Sequence, residues 1–130
     1  MILKIAVCDD NDKDIEIINR ELLLLEEKAR EKGCTYQIQA FKSGNDILKS
    51  FALVQDMHIL FLDIDMPGLS GIQLASKFRD KGLDTTLVFV SSHDDFVFET
   101  FRYNAYRFVR KNKLISDTQE MISSFCAALK

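Results

Sequence analysis

The chain alternates between two periodicities that cannot belong to the same kind of element. From Ile2 to Cys8, from Ile59 to Leu62 and from Leu87 to Val90 nearly every residue is apolar, as in strands covered on both faces. Between the first two runs the spacing becomes three and four: Ile15, Ile18, Leu22, Leu25 and Ala29 form one helical stripe. Two further segments alternate, Tyr36-Gln37-Ile38-Gln39-Ala40 and Tyr106-Arg107-Phe108 leading into Val109-Arg110-Lys111. One wet face suits strands at the two edges of a sheet. Strict strand–helix alternation then calls for a mostly parallel sheet with right-handed crossovers.

Helix boundaries follow from caps. Asn11 can cap the first helix, and Ser43 precedes a second stripe of Ile47, Phe51 and Val54. Ser70 with Gln73 makes a capping-box pattern before Ala75 and Phe78, and Gly82 can end that helix. Asp94 can cap a fourth, aromatic-rich helix through about Tyr103; Ser116 with Gln119 repeats the capping box before Ile122, Phe125 and Leu129. Five strands and five helices result. With the second and fifth strands at the edges, the simplest order is 2-1-3-4-5, an α/β, flavodoxin-like doubly wound (βα)5 fold with helices on both faces.

At 130 residues the chain fits one domain, residues 1–130, and with one Pro and five Gly it offers no linker at which to divide it. A net charge of −3 leaves no footprint for nucleic acid, so direct binding of nucleic acid by this domain is not expected. Cys8, Cys34 and Cys126 are odd in number and far apart, which suits reduced thiols in a cytoplasmic chain. Lys4 interrupts the first apolar run, which is too short for a signal peptide, and no run approaches the ~18 apolar residues of a membrane span.

The polar residues that close the strands carry the chemistry. Asp9 and Asp10 follow the first, Asp63 the third, Ser91 the fourth and Lys111 the fifth, and parallel strands bring all of these to one edge, at the switch point. Three crowded carboxylates resist joint ionisation unless a cation sits among them, which asks for a hard divalent ion, Mg²⁺. Around a phosphoryl group the acid pair would hold the metal, with Asp63 as ligand and nucleophile. Ser91 would donate a hydrogen bond and Lys111 would supply a compact cation. Singly, each has a plainer reading: Asp9 and Asp10 as helix-capping acids, the stretch from Asp63 to Pro67 as a turn, Ser91 as a cap, Lys111 as a solvated charge. Their joint occurrence at strand ends favours a site. His58 and His93 are too isolated for zinc. Phe96, Phe98, Phe101, Tyr103, Tyr106 and Phe108 read mainly as core, with the remainder free to face a partner. The positive charge of Arg102, Arg107, Arg110, Lys111 and Lys113 reads as a solvated face or a charge-assisted contact.

Taken in order, Asp9-Asp10, Asp63-x-x-Met66-Pro67-x-x-x-Gly71, Ser91 and Phe108-x-x-Lys111 resemble the receiver domain of bacterial two-component response regulators, over essentially the whole chain. The resemblance implies that Asp63 takes a phosphoryl group from a sensor histidine kinase. It implies Mg²⁺ on the side chains of Asp10 and Asp63, with Asp9 acting through water and the backbone carbonyl of Asp65 completing the protein ligands. Ser91 and Phe108 would be the switch residues, altering the face made by the fourth helix, fifth strand and fifth helix, through which a homodimer could form. Asp65 and His93 would tune the lifetime of the phosphate. The stretch Ser91-Ser92-His93-Asp94, with residues 101–108, is similar to receivers that precede LytTR-type DNA-binding domains, which implies such an output domain outside this chain. Asn112 stands where receivers commonly carry a cis proline; a non-proline cis bond costs about 3–4 kcal/mol, so a trans peptide or a differently braced loop is expected after Lys111. Two alternatives stand beside this reading. Asp63-Ile64-Asp65 also resembles the nucleophile motif of haloacid-dehalogenase-type phosphatases, although the acid pair here lies upstream; a degenerate receiver would bind partners without phosphorylation.

Overall fold

Continuous apolar runs become central strands because both of their faces find cover. The computed structural model describes residues 1–128, apart from the side chain of Asp94. Strands β1 (Ile2–Cys8), β2 (Thr35–Phe41), β3 (Ile59–Asp63), β4 (Thr86–Ser91) and β5 (Ala105–Arg110) pair in parallel in the order β2-β1-β3-β4-β5. The order and the two edge strands are those read from the sequence. Between the strands run α1 (Asp12–Arg30), α2 (Gly44–Lys49), α3 (Phe51–Val54), α4 (Gly71–Asp80) and α5 (Val97–Thr100), and α6 (Leu114–Ala128) follows β5.

Alternate residues of each central strand feed two separate cores. On one face Ala6, Cys8, Leu60, Leu62, Leu87 and Phe89 meet Ile47, Val54 and the α4 residues Leu74, Ala75 and Phe78. On the other, Leu3, Ile5, Val7, Phe61, Val88 and Val90 meet Ile15, Ile18 and Leu22 of α1 and Met121 and Ile122 of α6. This two-sided burial erases the alternation from β1, β3 and β4, whereas exposed positions persist along β2. The parallel sheet aims the C-terminal ends of all five strands at one edge.

Local capping agrees with the sequence at three places. The Asn11 side chain accepts from the amides of Lys13 and Asp14 at 2.9 and 3.2 Å, and that of Ser43 from Asp46 at 3.1 Å. Ser70 and Gln73 form the reciprocal capping box of α4, and Gly82 follows that helix with φ 81°. The Lys111–Asn112 peptide is trans, as is every peptide among the described residues. His58 lies immediately before β3, where Nδ1 accepts from the Lys4 amide at 2.9 Å.

Three expected helices differ. The Ile47, Phe51, Val54 stripe is broken at Ser50 into α2 and α3, each too short to be one continuous helix. The expected aromatic-rich helix is a 3₁₀ turn (Asp94–Phe96), the single turn of α5 and a second 3₁₀ turn (Phe101–Tyr103), stopped by Asn104 at φ 55°. Phe98 and Phe101 remain 82% and 64% exposed, so this stretch lacks the buried stripe that sustains a helix in water. Phe96, Tyr103 and Phe108 are partly buried on one core and Tyr106 on the other, so the aromatics divide between core and surface. The cap expected at Asp94 falls on a side chain outside the described residues, as does Leu129 of the last stripe.

The last helix begins before its expected capping box. A 3₁₀ turn (Lys111–Lys113) runs directly into α6, where buried Leu114 fixes the start. Ser116 and Gln119 therefore lie inside the helix: Ser116 Oγ donates to the Lys113 carbonyl at 3.3 Å, and Gln119 Nε2 to Glu21 Oε1 on α1 at 2.7 Å. No helix among the described residues is long and apolar enough to cross a membrane.

Candidate functional site

The first and third strands end beside one another, and each delivers a carboxylate. Asp9 and Asp63 are both 1% exposed, Asp10 lies at the surface, and one oxygen of each falls within 4.8 Å of the others. Backbone amides fix the two buried groups: Asn11 donates to Asp9 Oδ1 at 2.9 Å, and Asp65 donates to Asp63 Oδ1 at 3.2 Å. The second oxygens, Asp9 Oδ2 and Asp63 Oδ2, are buried and accept no hydrogen bond. They face the Lys111 ammonium at 3.5 and 3.3 Å.

Lys111 is shared unevenly. Its shortest partner is Asp14 Oδ2 at 2.8 Å, on the first turn of α1. Burial alone would lower the lysine's affinity for its proton, but the Asp14 hydrogen bond and the charges of Asp63 and Asp9 outweigh it and hold Nζ firmly protonated. One ammonium thus faces three carboxylates, those of Asp9, Asp14 and Asp63, and Asp10 adds a fourth negative group beside Asp9 and Asp63. The deficit of positive charge is visible on Asp63, whose carboxyl is pushed up to about 8, first by burial and then by Asp9, with Lys111 opposing. Asp9 is raised as well, mainly by burial. Two neighbouring buried acids resist carrying both charges at once, and a hard cation between them would relieve that repulsion. Two buried oxygens without a hydrogen bond, beside a third carboxylate open to solvent, fit Mg²⁺, whose shell is oxygen and retains water.

Close backbone approach shapes the floor. A Cβ on Gly71 would collide with the Asp63 carbonyl, so only glycine lets α4 begin this near the end of β3. Behind Asp9, the buried Cys8 thiol donates to the Ser43 carbonyl at 3.6 Å and contacts Met66 Sδ at 3.8 Å. Burial, followed by the charges of Asp9 and Asp63, pushes it up to about 12. This cysteine is a packing group and not a nucleophile.

Ser91 arrives from β4 at the same edge but faces another acid. It is fully buried; its hydroxyl donates to Asp65 Oδ2 at 3.1 Å and accepts from the His93 amide at 3.0 Å. His93 Nε2 stands 4.0 Å from the same Asp65 oxygen. The side chain of Asp65 is therefore tied to Ser91, while its amide serves Asp63. Phe108 is partly buried against the core that contains Leu62 and Phe89.

Of the residues singled out in the sequence, Asp9, Asp10, Asp63 and Lys111 form one contact group, and Ser91, Asp65 and His93 form an adjoining one. Asp14 was not singled out. An acid in the first turn of a helix is ordinary, and the only signal was its position one turn beyond Asp10.

Known proteins resemble this chain in sequence and in fold. The chain is 27% identical over 115 residues to the positive alginate biosynthesis regulatory protein of Pseudomonas aeruginosa, covering 84% of this chain and 45% of that protein. It is 30% identical over 105 residues to accessory gene regulator protein A of Staphylococcus epidermidis, covering 78% of this chain and 42% of that one. It thus spans less than half the length of these curated relatives. Among solved structures it resembles the response regulator TrrA of Thermotoga maritima, in complex with Mg²⁺ and beryllofluoride, at a TM-score of 0.66 and 26% identity, covering 94% of this chain and 97% of that one. The model of the response regulator receiver domain matches residues 5–123, which takes in every strand-end residue described above, and the chain belongs to that family.

Proposed function

We propose that residues 1–130 form one receiver module that acts as a phosphorylation-dependent switch, with Asp63 as phosphoacceptor. The observation that carries this is the pair of buried Asp9 and Asp63 oxygens without a hydrogen bond, facing Lys111 at 3.5 and 3.3 Å beside Asp10. In this reading the donor is a phosphohistidine of a sensor histidine kinase. An Asp63 oxygen forms the new bond to phosphorus as the donor's phosphorus–nitrogen bond breaks, and the electron pair leaves on the imidazole. The product is an acyl phosphate.

The side chains of Asp10 and Asp63 and the backbone carbonyl of Asp65 would hold Mg²⁺, with Asp9 acting through water. When bound, the ion supplies charge neutralisation to the phosphoryl oxygens. Lys111 would add a compact positive charge, and its tie to Asp14 holds the ammonium beside Asp9 and Asp63. Ser91 would turn its hydroxyl toward the phosphoryl group. Phe108 has no phenolic oxygen, so its part in the switch is one of packing.

Output follows from the face made by the 94–104 stretch, β5 and α6. Exposed Phe98 and Phe101 lie there, which supports a homodimer or an output-domain contact. Similarity to two regulators of about twice this length supports a LytTR-type DNA-binding domain outside this chain, in a cytoplasmic protein. Incubation with acetyl phosphate and Mg²⁺ followed by intact mass tests the proposal. One phosphoryl group should be gained by the wild type and none by Asp63→Asn. Repeated turnover of a generic phosphomonoester, lost in Asp65→Ala, would instead establish a phosphatase.

A further inference from the structure

The hydroxyl best placed to serve a phosphoryl group is already engaged. Ser91 Oγ donates to Asp65 Oδ2 at 3.1 Å, and the His93 amide holds the same oxygen from behind at 3.0 Å. Asp63 Oδ2, buried and unsatisfied, receives no hydrogen bond from it. The two ends of this bond differ in their freedom. Ser91 is fully buried, so its hydroxyl must find a protein or ligand acceptor, whereas the Asp65 side chain is 39% exposed and can be rehydrated. Breaking the bond is therefore uphill at Ser91 and nearly free at Asp65.

We propose that the Asp65 carboxylate is a latch. It holds the Ser91 hydroxyl in a resting position, and the hydroxyl must leave it to engage a phosphoryl group on Asp63. This deepens the receiver reading and rests on it. Asp65 is a positioning residue in this role, acting on the phosphoryl group through Ser91. Because binding to a conformer that is only partly populated is weakened by that population, removing the latch raises the apparent affinity of any ligand that recruits the hydroxyl. The geometry also names the control. Asn at position 65 discards the charge but keeps an oxygen that can accept from Ser91, whereas Ala discards both.

The experiment is titration with beryllofluoride in the presence of Mg²⁺, followed by calorimetry, for wild type, Asp65→Asn and Asp65→Ala, each also combined with Ser91→Ala. The latch predicts that Asp65→Ala binds about fivefold more tightly than Asp65→Asn, the net worth of one hydrogen bond, and that this ratio falls to one in the Ser91→Ala background. Equal affinities of the Asn and Ala variants overturn the latch and leave charge as the whole effect. A ratio that persists without the hydroxyl overturns it as well. A second readout needs neither metal nor beryllofluoride: the His93 amide, held by Ser91 Oγ, should exchange with solvent faster in Asp65→Ala than in Asp65→Asn. Equal exchange overturns the latch even where beryllofluoride binds. Faster exchange in a protein that binds no beryllofluoride keeps the latch and overturns the receiver reading alone.

Discussion

Helix α4 and the stretch 94–104 make equivalent connections, from β3 to β4 and from β4 to β5, yet only one is a continuous helix. Helix α4 has a reciprocal capping box, buries Ile72, Leu74, Ala75 and Phe78, and stops cleanly before Gly82. The other stretch is as rich in apolar residues, but its two largest exposed side chains, Phe98 and Phe101, stack edge-on against each other with centroids 6.3 Å apart and leave the core to Phe96 and Tyr103. The difference teaches that an apolar stripe makes a stable helix only where a partner buries it. It also places the less deeply packed of the two connections directly after Ser91 and His93. A hydroxyl that changed partner there would act on the connection with less packing to lose.

Arg79 joins the two regions. From the end of α4 its guanidinium donates to the carbonyls of Leu83, Thr85 and Tyr103 at 2.7, 3.0 and 2.8 Å, anchoring the far end of the irregular stretch. The far end of the stretch is thereby tied to α4.

The contrast is most severely tested by truncating one aromatic from each region. Phe78→Ala, in the fully buried stripe, should cost about 3–5 kcal/mol in urea unfolding, and Phe101→Ala should stay within about 0.5 kcal/mol. Equal losses would break the comparison. A smaller effect is expected from Arg79→Ala, about 1–3 kcal/mol from partly buried carbonyls left without a donor, accompanied by faster amide exchange in residues 94–104 and not in α4. The carboxylates add a pH effect that is spread over several units. Asp63 is raised from 3.8 to about 8, so the folded protein keeps a proton that the unfolded chain releases. The stability given by that proton is complete below about pH 4 and is lost as pH rises through about 8, with a slope no steeper than about 1.4 kcal/mol per pH unit for one proton. The melting temperature of metal-free wild type should therefore fall between about pH 5 and about pH 8 relative to Asp63→Asn, and Mg²⁺ should restore more at the upper end. Parallel profiles would contradict the raised proton affinity of Asp63.

The strands and their order were legible because two-sided burial leaves an unmistakable apolar run, and the acids were legible because each closes such a run. Other features depended on distant packing. Ser116 and Gln119 match a capping box locally, but burial of Leu114 and the grip of Asp117 on the Arg110 amide and guanidinium, each at 3.0 Å or less, start α6 earlier. Residues 94–103 have the composition of a buried helix and lack only the surface that would bury them. The partner of the Ser91 hydroxyl is a matter of one side-chain torsion, which spacing does not encode. Asp14 escaped notice because its role depends on how far Lys111 reaches from another strand.

Acceptance of a phosphoryl group by Asp63 is tested most directly by locating the acyl phosphate itself. After incubation with acetyl phosphate and Mg²⁺, borohydride reduces an aspartyl phosphate to homoserine, which peptide mapping places in the chain. Homoserine at position 63 is the predicted result. Homoserine at position 9, 10 or 65 instead, or at no position in a protein that retains its fold, would contradict it.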